Sequence, residues 1–289
     1  MELPAAIRRV LAPLSPGRRR WNAFLHGLPL DVDALADPLT PTGPRDVIVC
    51  GCPRTGTTML SAALFQPPRA ISVMEPWDGM RMPPGELFGS LREEIGRGRL
   101  DRGRLDLDRY DAEHVAEWCG EGATGRAVEV DDDYLLAVKW VGWWRFLDRL
   151  PDTRFVVCLR DPAEVVASFR QLGGRVGMGL QYDTRFNRRL NDDLTKATDD
   201  LDLRRVLLWE YVHERLAPHL ERENVFWFRY EWWFEDPEGA MERLGAFLGT
   251  DLEPAKLAIR RPRPPVLTPG EQAALSARSE LAARFGYQV

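Results

Sequence analysis

Short runs of consecutive apolar residues recur along this chain, and most of them are closed by a glycine or a charged residue. The first covers residues 47–50 and ends at Gly51. Such runs are typical of strands that are buried on both faces of a parallel sheet. The pattern predicts strands at residues 47–50, 70–74, 135–140, 154–159 and 225–228.

Between these runs, apolar residues recur with the spacing of amphipathic helices. The best-defined helix start lies at Asp161, which suits the N-cap position. Pro162 follows at the first helical position and Glu164 at the third, which completes a capping box. The pattern predicts helices at residues 57–65, 86–96, 112–119, 163–172, 203–220, 237–248 and 270–285, and a short helix that ends at residue 150. Strands that alternate with helices predict an α/β fold, in which helices flank a parallel sheet.

The domain organisation follows from where this alternation begins and where it is interrupted. We expect a single domain at residues 46–289, preceded by an N-terminal extension at residues 1–45. Two polar segments, at residues 76–120 and 173–203, interrupt the alternation. Both are long for connections within a compact domain, and loops of this kind often carry function. They are interpreted as insertions that bind a ligand or close over a site as a lid.

Composition and charge exclude several classes of protein. The 289 residues are 44% hydrophobic and 29% charged, which is close to globular averages. The net charge of −5 argues against a general nucleic-acid binder. We expect no transmembrane segment, because no apolar run reaches the ~18 residues that a membrane span needs. We expect no secretory signal, because residues 1–26 contain no continuous apolar stretch. Four cysteines without a CxxC pair do not form a disulfide framework, so the cytoplasm is the expected location.

No metal site is expected either. The four histidines (His26, His114, His213 and His219) are not spaced as metal ligands, and the cysteines do not cluster with them. His213 is interpreted as a structural residue of its helix. The acidic run at residues 131–133 is interpreted as a solvated loop and not as a magnesium site.

A glycine-rich loop joins the first predicted strand to the first predicted helix and has the sequence GCPRTGTT at residues 51–58. Gly51 and Gly56 allow backbone N–H groups to turn toward an anion, and the positive end of the helix dipole lies at the same point. In nucleotide-binding P-loops a lysine follows the second glycine, whereas this chain has Thr57 there. The cation of the loop is Arg54. The loop therefore predicts a phosphate site that differs from the usual ATP–magnesium site.

Three segments in the same order resemble the sulfotransferases that use 3′-phosphoadenosine 5′-phosphosulfate (PAPS). The loop sequence CPRTGTTML at residues 52–60 is similar to the loop that binds the 5′-phosphosulfate in that family. LRDPAEVVAS at residues 159–168 is similar to the family's 3′-phosphate signature. FRYE at residues 228–231, with DPE and FLG further on, is similar to a third family segment. The resemblance covers residues 46–250 with gaps and implies a P-loop-containing α/β fold.

The resemblance implies a set of residues that bind the donor nucleotide. The loop residues Arg54, Thr55, Gly56, Thr57 and Thr58 would hold the 5′-phosphosulfate. Arg160 and Ser168 would bind the 3′-phosphate, and Tyr230 would lie on or near the adenine. The alternatives are a local ion pair between Arg160 and Asp161 at a helix cap, and simple core packing of Tyr230. Family members often add a basic C-terminal loop, here Arg260, Arg261 and Arg263, and a solvated loop is the alternative for it.

The catalytic groups implied by the resemblance are Glu75, Lys139 and Arg54. Glu75 lies at the carboxyl end of a predicted strand, where open α/β sheets bind ligands, and it would be the general base. Lys139 lies in an apolar stretch, and it is one of only three lysines among the 39 basic residues. It would stabilise the departing phosphate together with Arg54. The alternatives are a loop carboxylate paired with Arg81 for Glu75, and a snorkelling surface lysine for Lys139.

The resemblance therefore predicts a sulfotransferase that transfers the sulfuryl group of PAPS in line to an acceptor hydroxyl, without a metal. The acceptor stays open between small molecules, sugars and glycolipids. Residues 76–120 and 173–203 are the predicted acceptor segments, and tryptophans 77, 140, 143 and 144 are either an acceptor wall or core residues. Two other functions stay open. One is a P-loop kinase that uses ATP and magnesium, and the other is a module that binds PAPS without turnover.

Overall fold

A computed structural model of the chain describes residues 39–76, 79, 82–98, 129–181, 187–254 and 264–289. Within these residues, five parallel strands form a sheet in the order β2-β3-β1-β4-β5. Each predicted strand is confirmed to within one residue at either end. The strands are β1 Asp46–Gly51, β2 Ala70–Met74, β3 Leu135–Lys139, β4 Arg154–Leu159 and β5 Val225–Arg229.

The described helices flank this sheet, as the sequence pattern predicts. They are α1 Thr57–Ala63, α2 Pro84–Gly96, α3 Pro162–Leu172, α4 Gly174–Gly177, α5 Arg188–Ala197, α6 Leu201–Leu216, α7 Trp232–Glu235, α8 Pro237–Leu248, α9 Pro269–Ser276 and α10 Ser279–Arg284. Two 3₁₀ helices, Val141–Phe146 and Ala217–His219, complete the described elements. No described helix has the length and apolar character that a membrane span requires.

The strands are apolar without interruption because both faces of the sheet are covered. In β1, Val47 and Val49 face a core formed with α1 and α8, whereas Ile48 and Cys50 face a core formed with α2, α3 and α6. All four side chains have no exposed surface. Full burial of one aliphatic side chain contributes about 1.5–3 kcal/mol. The two cores therefore hold the strand ends, and the loops that follow them, at fixed positions.

The connections leave β1 and β4 in opposite directions. From β1 the chain passes through α1 to β2 at one edge of the sheet, and from β4 it passes through α3 toward β5 at the other. Right-handed crossovers in opposite directions place their helices on opposite faces. Accordingly, Leu60 of α1 and Phe169 of α3 belong to different cores. Such a switch point leaves a crevice at the carboxyl ends of the two strands.

Some helix predictions are corrected by the structure. The helix predicted at residues 270–285 is two helices, because Arg278 leaves the helical conformation at φ −119°. Its guanidinium donates to Glu210 Oε2 on α6 at 2.8 Å, and the turn brings Phe285 against the ring of His213. The short helix predicted before residue 150 is a 3₁₀ helix. The segment 173–203 contains α4, α5 and the start of α6, and its role as a lid or acceptor segment stays a prediction.

Several predictions concern residues outside those that the structure describes. They are residues 1–38 of the N-terminal extension, most of the segment 76–120 with its helix at 112–119, and the basic residues Arg260, Arg261 and Arg263. Trp77 and Arg81 also lie outside the described residues.

Candidate active site

The loop between β1 and α1 adopts conformations that depend on its two glycines. A Cβ atom at Gly51 would lie 2.6 Å from the Cys158 carbonyl oxygen of β4. Gly56 has a φ of 90°, and a Cβ there would lie 2.5 Å from the Tyr230 ring. Between them, the Thr55 hydroxyl donates to the Cys52 carbonyl at 2.7 Å. The hydroxyl of Thr55 therefore shapes the loop from inside, while Tyr230 packs directly against its second glycine.

Arg54 projects from the tip of this loop toward α3. Its backbone has a φ of 72°, in the left-handed region, and its side chain is exposed. The Nε atom donates to Ser168 Oγ at 2.9 Å. No carboxylate among the described residues pairs with Arg54, so its charge is available to an anion. Thr57 and Thr58 follow at the start of α1, the first buried and the second half-buried.

Arg160 is held on three sides. Its Nε donates to Glu164 Oε2 at 2.8 Å, its Nη1 donates to the Arg54 carbonyl at 3.0 Å, and its guanidinium lies 4.2 Å from the centre of the Tyr230 ring. A cation over an aromatic face is attracted by the ring quadrupole. Burial raises the pKa of Tyr230 above its usual value, so the ring stays neutral at pH 7. The structure thus brings Arg54, Gly56, Arg160, Ser168 and Tyr230 into one cluster.

The start of α3 differs from the predicted capping box. Asp161 is the N-cap and accepts from the Glu164 N–H at 3.1 Å, as predicted. The Glu164 carboxylate does not return to the Asp161 N–H, which donates instead to Glu231 Oε1 at 2.8 Å. Glu164 pairs with Arg160, so the suggested ion pair between Arg160 and Asp161 is wrong. The spacing of four residues between Arg160 and Glu164 was the available signal for this pair.

Glu75 and Lys139 form an ion pair at the same edge of the sheet. Met74, the last residue of β2, is in register with Lys139, the last residue of β3. The Glu75 N–H donates to the Lys139 carbonyl at 2.8 Å, and the Lys139 ammonium donates to Glu75 Oε1. The side chain of Lys139 is 4% exposed and that of Glu75 is 18% exposed. Lys139 is therefore not a snorkelling surface lysine. It pairs with Glu75 among the described residues, whereas Arg81, the partner suggested as an alternative, lies outside them.

The ion pair lies next to the glycine-rich loop. Lys139 is in register with Val49 of β1, two residues before Gly51. Burial raises the pKa of the Cys158 thiol at the end of β4, and the charge of Lys139 opposes that rise. The charge of Lys139, on β3, therefore acts across β1 on Cys158 of β4. Glu75 has a φ of 43°, a left-handed conformation that costs about 1–3 kcal/mol in a non-glycine residue.

The aromatic and histidine predictions are resolved where the structure describes these residues. Trp143 and Trp144 are 3% and 4% exposed and belong to the core, and Trp140 packs against it. His213 is buried, stacks on Trp209 and has its pKa lowered by burial to about 4. His213 is therefore neutral at pH 7, and its structural role is confirmed. Within the described part of the chain, no group of residues has a metal-binding arrangement.

The family of the chain follows from its sequence between β1 and the end of α8. A model of the sulfotransferase family matches residues 44–254. The chain belongs to the sulfotransferase family. It is an enzyme of that family, and its five-stranded parallel sheet with flanking helices is the P-loop-like α/β fold that the sequence resemblance implied.

Several solved structures align with the chain at low sequence identity. The sulfotransferase domain of the Synechococcus PCC 7002 olefin synthase aligns with a TM-score of 0.46 and 17% identity, over 88% of this chain and 98% of that domain. A sulfotransferase from Alicyclobacillus acidocaldarius aligns with 0.44 and 15%, over 86% and 94%. Retinol dehydratase, solved with androsterone and the inactive cofactor PAP, aligns with 0.35 and 20%, over 74% and 62%. No curated protein matches the chain significantly. The family assignment rests on the sequence model.

Proposed function

We propose that this sulfotransferase transfers the sulfuryl group of PAPS to a hydroxyl of a small-molecule, sugar or glycolipid acceptor. The observation that carries the proposal is the hydrogen bond from Arg54 to Ser168, beside Arg160. It joins the glycine-rich loop to α3 at the crevice between β1 and β4. Two arginines and a hydroxyl from separate elements thus meet where a bound polyanion would lie.

The charges and donors of this cluster fit a nucleotide with two separate anionic groups. A guanidinium carries five N–H donors, and Arg160 uses its Nε and Nη1 within the protein. The remaining donors have no hydrogen-bond partner among the described residues and would bind the 3′-phosphate. Ser168 accepts a hydrogen bond from Arg54, so its own O–H can be donated to the same phosphate. Arg54, Thr57 and Thr58 would bind the 5′-phosphosulfate, with Thr55 and Gly56 shaping the loop and Tyr230 supporting Arg160 near the adenine.

The proposed chemistry uses Glu75 as the general base. PAPS supplies a sulfuryl group bound to a phosphate that can leave. Glu75 takes the proton of the acceptor hydroxyl as the new O–S bond forms, and the bond between sulfur and the bridging oxygen breaks in line with it. Lys139 and Arg54 stabilise the negative charge that develops on the departing phosphate. The step needs no metal, because the charge is compensated by these two cations.

The ion pair between Lys139 and Glu75 supports this division of roles. The Lys139 ammonium donates a hydrogen bond to Glu75 Oε1 and so orients the carboxylate that would act as the base. An ammonium carries three donors, so Lys139 can contact the phosphate while it remains beside Glu75. Since Glu75 is the more exposed of the two side chains, the acceptor would approach from its side.

Calorimetric titration tests the proposed donor. We expect 3′-phosphoadenosine 5′-phosphate (PAP) to bind tightly, ATP with magnesium to bind weakly, and Arg160→Ala to lose PAP binding. Arg215→Ala is the matched control, because Arg215 also stacks on a tyrosine, Tyr211, but on the exposed side of α6. Tighter binding of ATP than of PAP, or full PAP binding by Arg160→Ala, would show that the donor is misassigned.

A further inference from the structure

A second arginine of α3 connects this helix to the C-terminal segment. Arg170 lies two residues beyond Ser168, and its Nη1 is 3.2 Å from Glu271 Oε2 on α9. Its Nη2 donates to the Val266 carbonyl. Ser168 contacts the loop of β1 on one side of α3, and Arg170 contacts residues 266–271 on another. The helix that carries the proposed 3′-phosphate ligands is therefore held from two directions.

Glu271 is the centre of the second set of contacts. It has no exposed surface, so its charge needs partners within the protein. Besides Arg170, Arg205 of α6 donates to Oε1 at 2.8 Å, and the Thr268 N–H donates to Oε2 at 3.0 Å. Thr268 and Glu271 form a capping box at the start of α9. The two oxygens of this buried carboxylate thus link α9 to α3 and α6, and Oε2 also accepts from the N-cap residue of α9.

The network extends through α6 without leaving an unpaired charge. Arg205 also donates to Asp202 Oδ1 at 2.7 Å and to the Gly177 carbonyl at 2.7 Å. Asp202 in turn accepts from the Thr268 hydroxyl at 2.5 Å. Two arginines and two carboxylates therefore balance one another across α3, α6 and α9. A polar network whose groups are all hydrogen-bonded is rigid. Removing one of its arginines would leave the buried Glu271 carboxylate less well compensated.

We propose that Arg170, acting through Glu271, is a positioning residue for the nucleotide site. It holds α3 against the C-terminal segment and thereby sets the position of Ser168 and Arg160 relative to the loop of β1. The consequence for nucleotide binding rests on the donor site proposed above. The effect on α3 itself does not depend on which nucleotide binds.

The chain contains a matched ion pair at the other end of the sheet. Arg92 of α2 pairs with Asp46 at 2.5 Å, and Asp46 begins β1, about 17 Å from the glycine-rich loop at ~3.3 Å per residue. The side chain of Arg92 is 31% exposed and that of Arg170 is 32% exposed, and their carboxylate partners are 3% and 0% exposed. Glu271 keeps Arg205 as a partner when Arg170 is removed, whereas Asp46 loses the arginine that is hydrogen-bonded to it. A purely stabilising role would therefore make Arg92→Gln at least as damaging as Arg170→Gln.

The test compares Arg170→Gln with Arg92→Gln, because both variants keep the partner carboxylate and lose one charged contact. In hydrogen–deuterium exchange without nucleotide, we expect residues 160–172 to exchange about tenfold faster in Arg170→Gln only. In calorimetric titration, we expect PAP to bind about tenfold more weakly to Arg170→Gln and within about twofold of wild type to Arg92→Gln. Glu271→Gln, if it folds, should show the same pattern as Arg170→Gln.

Unchanged exchange of residues 160–172 in Arg170→Gln would overturn the proposal, as would equal effects of the two variants on exchange and on PAP binding. If the wild-type chain did not bind PAP, the proposed donor would be wrong. The exchange comparison would in that case still decide for or against Arg170.

Discussion

Removing one partner of the Glu75–Lys139 pair should destabilise the protein, and the two single variants should differ. Glu75→Gln removes the carboxylate that pairs with the Lys139 ammonium. The Lys139 side chain is only 4% exposed, so water cannot replace that carboxylate. Breaking a buried pair in this way costs about 3–5 kcal/mol. Lys139→Met leaves Glu75, whose side chain is 18% exposed. Water can reach that carboxylate, so we expect a smaller loss of about 1–3 kcal/mol.

The double variant Glu75→Gln/Lys139→Met removes both charges and should recover much of the lost stability. The coupling free energy between the two positions is then expected at about 2–3 kcal/mol. Urea unfolding followed by circular dichroism measures all four proteins. Single effects that simply add in the double variant would contradict this expectation, as would a larger loss of stability in Lys139→Met than in Glu75→Gln.

Three further predictions concern residues in or near the described core. Because burial lowers the pKa of His213 to about 4, well below its unfolded value of ~6.5, the unfolded state binds more protons between these values. Stability is then fully present above pH ~6.5 and falls by about 1.4 kcal/mol per pH unit toward pH 4. His213→Phe should flatten that part of the pH–stability curve, and an unchanged slope would contradict the assignment. Gly56→Ala should weaken PAP binding at least about tenfold, because the new Cβ would clash with the Tyr230 ring. Gly98→Ala is the control, because Gly98 has a similarly positive φ of 69° but no atom within 4 Å of the new Cβ. Equal effects of the two substitutions on PAP binding would argue against a role for the Gly56–Tyr230 contact. Burial raises the pKa values of the Cys50, Cys52 and Cys158 thiols, so Ellman's reagent should label them only after unfolding.

The strands could be predicted from the sequence because their signal is local. Each residue of β1 is buried, so burial on both faces is visible as an unbroken apolar run. The glycine-rich loop could also be predicted. Gly51 and Gly56 are required there because a Cβ atom at either position would clash with a neighbouring residue. The spacing between Arg160 and Ser168 is likewise contained within a single strand–helix unit.

The contacts that build the site could not be predicted in the same way. Glu75 and Lys139 are 64 residues apart, and Arg54 and Ser168 are 114 residues apart. Their meeting depends on the strand order and on the register of parallel strands, which are set by long crossovers and not by local sequence. The partner of Glu164 was missed for a different reason. A capping box and a pair with Arg160 compete for the same carboxylate, and the sequence contains both patterns.

The proposed reaction is tested by measuring sulfuryl transfer itself. The enzyme is incubated with radiolabelled PAPS and a panel of phenols, sugars and glycolipids, and both sulfated product and PAP are quantified. We predict transfer to at least one hydroxyl acceptor, and a turnover rate at least about a hundredfold lower in Glu75→Gln, with PAP affinity retained. Failure to transfer to any acceptor despite PAP binding, or wild-type turnover by Glu75→Gln, would contradict the proposed reaction.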